Sequence, residues 1–130
     1  MTRPQPRPIG RGWATVDLER AERELRELIV AGSSFEDAAR SGALGARCRR
    51  ARGSDGEWIV VLEPDSEGRV AGFLARNGEG WAARWERAAD AATDRPDRSL
   101  EGPFGPERLA PNSPTTGPFR LILTAATIDA

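Results

Sequence analysis

The chain of 130 residues has no histidine, no lysine and no tyrosine, and its only thiol is Cys48. Without an imidazole there is no Ser-His-Asp or Cys-His nucleophile pair and no His-ligated zinc site, and without an ε-amine there is no Schiff base. Acid–base work is left to Asp, Glu and Cys48. One cysteine cannot close an intrachain disulfide. No apolar run has the length of a signal-peptide core or a membrane span, so a cytoplasmic protein with no membrane partner is expected. The 19 basic residues, every one of them Arg, meet 20 acidic ones for a net charge of -1. That balance speaks against a nucleic-acid partner, because neutralising phosphates needs a basic face. A hydrophobic content of 38% with 30% charged residues is that of an ordinary globular chain, and the length suits one domain.

What is present is read as strands and helices in alternation. Pro4, Pro6 and Pro8 mark residues 1–10 as a flexible leader, because proline cannot serve a strand ladder and the stretch has no apolar face. Gly12 to Val16 reads as a strand that stops at Asp17, a good N-cap. Leu18, Ala21, Leu25, Leu28 and Ile29 then recur at helical spacing up to Gly32. Ser33-Ser34-Phe35-Glu36 has the form of a capping box and predicts a short helical turn. Leu44 to Arg52 predicts an arginine-rich strand, and Trp58 to Leu62 a strand apolar on both faces. Ser66 predicts the cap of a helix through Ala75 that carries Val70, Phe73 and Leu74. Trp81 to Trp85 and Phe119 to Thr124 predict further strands, and Ala88 to Ala92 a short helix.

Three segments resemble the vicinal oxygen chelate superfamily, in its glyoxalase-like branch with methylmalonyl-CoA epimerase. They are Val16-Asp17-Leu18-Glu19-Arg20-Ala21, then Leu62-Glu63-Pro64 with Phe73-Leu74-Ala75-Arg76-Asn77-Gly78-Glu79-Gly80, and Pro111 to Gly117. The resemblance implies an α+β fold: paired βαβββ modules forming a cupped mixed sheet with helices outside. Here the single domain would be residues 11–130, with modules at about 11–63 and 81–126 and a linking helix at 66–77. It also implies a homodimer. Members of the family hold a divalent metal with four inward His, Gln or Glu side chains. In this chain those positions fall on Arg11, Val60, Ala83 and Leu121, none of which offers a hard cation a suitable lone pair. No metal and no cofactor are therefore expected.

Side chains two apart on a strand share a face. Taken with the lost ligand positions, this puts Trp13 beside Arg11, Trp58 and Leu62 beside Val60, Trp81 and Trp85 beside Ala83, and Phe119 and Leu123 beside Leu121. All four tryptophans would then line the cup, either as packed core or as an aromatic pocket with Arg11 as an anion or carbonyl contact. Among the acids near the matched segments, Glu63 and Glu79 read as structural or solvated, and Glu101 is the third. Cys48 stands among arginines, which lower a thiol pKa, although a lone cysteine is commonly packing. The expected function is metal-independent binding, sequestration or carriage of a small apolar or aromatic molecule, as in bleomycin-resistance relatives. Two alternatives stay open: a cofactor-free isomerase, epimerase or cyclase, and a non-catalytic structural subunit. An inward carboxylate beside the ligand is what the enzyme reading requires.

Overall fold

The computed structural model describes residues 7–87 and 99–123. Strand β1 (Arg7–Ala14) leads into helix α1 (Leu18–Glu24), where the Asp17 carboxylate accepts from the Arg20 amide and so satisfies one of the helix's free N–H groups. A 3₁₀ turn, Arg26–Leu28, follows. Three antiparallel strands complete the first module: β2 (Glu36–Ser41), β3 (Ala46–Arg52) and β4 (Trp58–Pro64). Helix α2 (Arg69–Asn77) carries the chain to β5 (Gly80–Arg87), and the described part of the second module ends with β6 (Glu107–Leu109) and β7 (Phe119–Leu123). The seven strands form one sheet in the order β2-β3-β4-β1-β5-β7-β6, curled into a half-barrel. The modules join where β1 meets β5 antiparallel, and each first strand runs parallel to the last strand of its own module, β1 with β4 and β5 with β7.

The two faces of the sheet carry separate cores. On the convex face α1 lays Leu18, Ala21 and Leu25 against Ala51, Ile59 and Val61. The concave face carries Val60, Leu62, Trp85, Phe119, Leu121 and Leu123, and Val70 and Phe73 of α2, which like α1 lies outside the half-barrel, join the same cluster. The apolar run in β4 is therefore buried on both sides, as its sequence implies.

Some elements differ from expectation. The segment that reads as a capping box, Ser33 to Glu36, enters edge strand β2 instead. Phe35 is buried on the convex core, and pairing with β3 satisfies the backbone that a single helical turn would have left open. Strand β1 begins at Arg7, inside the stretch expected to be a leader, and tolerates Pro8 beside a register shift, where a missing N–H costs no ladder bond. Strand β6 has no alternating pattern to announce it. The helix expected over Ala88 to Ala92 and the strand's last residue, Thr124, lie outside the described residues.

On β1 the concave residues are Gly10, Gly12 and Ala14. A Cβ at Gly12 would stand 2.7 Å from Leu62 Cδ1 and 2.9 Å from the Trp85 ring, and one at Gly10 would stand 3.0 Å from Phe104. These glycines supply volume and not turn geometry. Gly12→Val is expected to lower stability by about 1–3 kcal/mol through overpacking, read as a lower urea midpoint at unchanged slope.

Candidate functional site

The residues expected in the cup are divided between the two faces. Val60, Leu62, Ala83, Trp85, Phe119 and Leu121 come together on the concave side, each no more than 3% exposed. Trp58 sits at the rim, half-buried against the same cluster. Arg11, Trp13 and Trp81 lie on the convex side, where Trp13 and Trp81 meet edge to face at 5.2 Å and the Arg11 guanidinium lies 4.6 Å from the Trp81 ring centre and 3.4 Å from Asp55. A shared face for all four tryptophans is thus corrected to two and two. Alternation on β1 runs one residue out of step with the expected register, so its glycines point inward. On β5 an extra residue separates the pairings Gly12↔Ala83 and Trp13↔Trp81, and this bulge turns Trp81 away while Ala83 and Trp85 stay inside.

No ligand set for a divalent ion survives at these positions: Gly10 and Arg11, Val60, Ala83 and Leu121 provide neither carboxylate, amide nor imidazole. Among the described residues no cluster of three His, Cys, Asp or Glu side chains could hold a metal. The metal centre implied by the resemblance does not fit the residues at these positions.

The polar chemistry of the cup lies elsewhere, on a residue that sequence reasoning passed over. Glu107 is fully buried. Its Oε1 accepts from Trp85 Nε1 at 2.8 Å, and its Oε2 accepts from Ser41 Oγ at 2.7 Å. Burial pushes its carboxyl up to about 7, against the Ser41, Trp85 and Ala43 donors, which favour the charged form. Ser41 ends β2 and Glu107 begins β6, the opposite edges of the sheet order. This contact closes the curl, and the Gly42 amide donating to the Glu101 carbonyl at 2.8 Å strengthens the seam.

Residues 100–107 form a hairpin in which Leu100 and Glu107 exchange backbone hydrogen bonds. Its tip drops Phe104 into the cup, 5.5 Å from Trp85 and 6.2 Å from Trp58, ring centre to ring centre. Gly102 lies directly on the Glu107 carboxylate, with no room for a Cβ. Between this hairpin and β2–β3 runs a groove of about 610 Å³ lined by Ala39, Arg50, Leu100, Pro103, Phe104 and Pro106, among others. Leu100 is 52% exposed along it, and Arg50 Nη1 donates to the Pro103 carbonyl at 3.0 Å.

The other candidate residues are structural. Glu63 is paired with Arg47. Glu79 accepts from the Val16 amide and pairs with Arg20, tying the start of α1 to the start of β5. Glu101 is exposed. Cys48 is buried, and burial first, with Glu107 nearby, pushes its thiol up to about 12. The neighbouring Arg47 and Arg49 point to the other face, so they do not activate it.

No protein-family model matches the sequence, and no curated protein matches it. Solved structures do. A variant of Streptomyces coelicolor methylmalonyl-CoA epimerase in complex with 2-nitronate-propionyl-CoA is 22% identical over 95% of this chain and 100% of that one, with a TM-score of 0.67. Methylmalonyl-CoA epimerase from Mycobacterium tuberculosis is 16% identical over 88% of this chain and 85% of that one, also at 0.67. A Bacillus halodurans hypothetical protein is 14% identical over 91% and 93%, at 0.65. The epimerases are members of the vicinal oxygen chelate superfamily, and the fold of that superfamily is the fold of this chain.

Proposed function

We propose that this protein binds a small apolar or aromatic molecule at the mouth of its cup, without a metal. The observation that carries this reading is the groove of about 610 Å³ between the 100–107 hairpin and β2–β3, with the exposed Leu100 and the ring of Phe104 on its walls. A concave site with apolar walls and a few polar groups, here Arg50, Ser99 and Glu101, is what a ligand-sized organic molecule requires. Of the residues first expected to touch ligand, Trp58 is the rim. Val60, Leu62, Ala83, Trp85, Phe119 and Leu121 are the packed wall behind it. The neighbours named for complexes with methylmalonyl-CoA and with 2-nitronate-propionyl-CoA support a small-molecule role for this fold. A homodimer, expected from the same resemblance, is part of the proposal, and light scattering giving only the 14.1 kDa mass of one chain would exclude it. No helix among the described residues is long and apolar enough to cross a membrane.

Ala39 stands exposed on the groove wall, away from both cores. The neutral fluorophore N-phenyl-1-naphthylamine is expected to bind saturably and to raise the Tm, since a ligand of the folded state alone adds RT ln(1 + [L]/Kd), about 2.7 kcal/mol at a hundredfold excess. Ala39→Trp, which fills the groove, should abolish that binding with little effect on the Tm of the free protein. Binding that persists in Ala39→Trp, or no saturable binding at all, counts against the reading. For the metal, a chelator should leave the Tm unchanged, and one equivalent of zinc, nickel, cobalt or manganese in the purified protein would refute the metal-free part.

A second reading, cofactor-free proton transfer, is favoured by Glu107, the inward carboxylate that such an enzyme needs. Its pKa of about 7 suits a general acid or base at neutral pH, but Gly102 and Phe104 stand between it and the groove, so the hairpin would have to lift. The pKa makes a separate prediction about stability. A folded-state value of about 7, above the ordinary 4.5, contributes stability that is complete below about 4.5 and is lost as pH rises through 7, roughly 3 kcal/mol in all. With no histidine in the chain, little else titrates there. The Tm should fall between pH 5 and pH 8, and Glu107→Gln should flatten the slope. An equal slope in both proteins would show that Glu107 is not its source.

A further inference from the structure

Strand β3 carries four arginines, and they have two different kinds of partner. Arg47 pairs with Glu63, and Arg49 with Glu22 and Asp37. Arg50 and Arg52, on the alternate face, have aromatic partners: each guanidinium lies 4.6 Å from the centre of the Trp58 ring, and Arg50 lies 5.3 Å from that of Phe104. Neither forms an ion pair with a described carboxylate. Glu36, the register partner of Arg50 on β2, is exposed and unpaired with it. Among the described residues Arg50 has one side-chain hydrogen bond, to the Pro103 carbonyl. Two like charges therefore share one indole at the rim of the cup, and the carboxylates that line the two hollows there, Glu36 and Glu101, form no ion pair with either. Arg50 lines the 610 Å³ groove and also, with Arg52 and Trp58, an adjoining hollow of about 270 Å³.

An aromatic ring relieves part of the cost of crowding two cations, but it carries no net charge. A planar guanidinium keeps its fork of donors available while it stacks, which suits it to carboxylate, sulfonate or phosphate oxygens. We infer that the ligand of this site is a flat anion. Its conjugated or aromatic body lies in the groove against Phe104 and Leu100, and its anionic group sits at the rim between Arg50 and Arg52. This rests on the groove reading above and adds the class of molecule that the groove selects. It also moves anion recognition from Arg11, where the sequence placed it, to β3.

The test uses two probes with one skeleton. N-phenyl-1-naphthylamine is neutral, and 8-anilinonaphthalene-1-sulfonate has the same rings with a sulfonate added. Both are titrated by fluorescence at fixed ionic strength against the full chain and against Arg52→Gln and Arg52→Lys. Arg52 is the chosen position because Arg50 also holds the hairpin. The sulfonate should bind about tenfold tighter than the neutral probe, the size of one charge-assisted contact. Arg52→Gln should erase that preference while leaving the neutral probe within about twofold, and Arg52→Lys should restore part of it. A Tm close to that of the parent in both variants certifies the fold. Equal affinity for the two probes, or equal weakening of both by Arg52→Gln, overturns the inference and leaves the groove reading standing. If neither probe binds saturably, the groove reading fails and takes the inference with it.

Discussion

The hydrogen bond between Ser41 and Glu107 is the contact on which the shape of this molecule turns. A seven-stranded sheet has two free edges, and here they are β2 and β6. Twist alone curls a sheet without bringing its edges together. Bonding Ser41 Oγ to Glu107 Oε2 at 2.7 Å, with the Gly42 amide on the Glu101 carbonyl beside it, joins the first module to the second across the hollow. The same carboxylate then accepts from Trp85 Nε1 on the central floor. Three elements distant in sequence are fixed by one buried charge-bearing group, and both of its oxygens are satisfied. That is what makes its burial tolerable.

The floor has room for Trp85 only because β1 presents Gly10, Gly12 and Ala14 to the concave side. An indole that large is fully buried in the middle of a sheet when the facing strand has given up its side chains. The inner floor is filled by Trp85, Phe119 and Leu121, all buried. The accessible polar groups of the cup stand at its mouth, with Arg50, Arg52, Trp58 and the 100–107 hairpin.

Much of the architecture was legible in the sequence, because two of its signals are strong. The run Trp58 to Leu62 can only be a strand covered on both faces, and Asp17 before Leu18, Ala21 and Leu25 can only begin a helix with one apolar stripe. The site was less legible, for physical reasons that differ from residue to residue. Parity taken from Arg11 puts Trp13 on the wrong face, although the small residues Gly10, Gly12 and Ala14 mark the crowded side. Trp81 was misplaced by a bulge at Ala82, which nothing in the local composition reveals. Glu107 was missed because a three-residue strand has too few positions to alternate, and its partner Ser41 is 66 residues away. Gly102, which cannot carry a Cβ against that carboxylate, was the one available signal nearby.

The alternation of β3 shows how one residue type serves two purposes on one strand. Arg47 and Arg49 meet carboxylates on the side facing α1 and the sheet edge, and such pairs on the surface contribute little to stability. Arg50 and Arg52 face Trp58 and Phe104 on the concave side instead. A chain selected only for stability gains little by placing two guanidiniums on one indole when either could be an apolar side chain on a half-buried strand. They stand at the entrance to a groove whose walls also carry Leu100, Phe104, two prolines and the Glu101 carboxylate, and in a site of low polarity such charges act on whatever enters. The closed floor and the charged rim thus belong to the same curl: the Ser41–Glu107 contact closes the interior, and beside it lies the edge where the arginines of β3 face the hairpin.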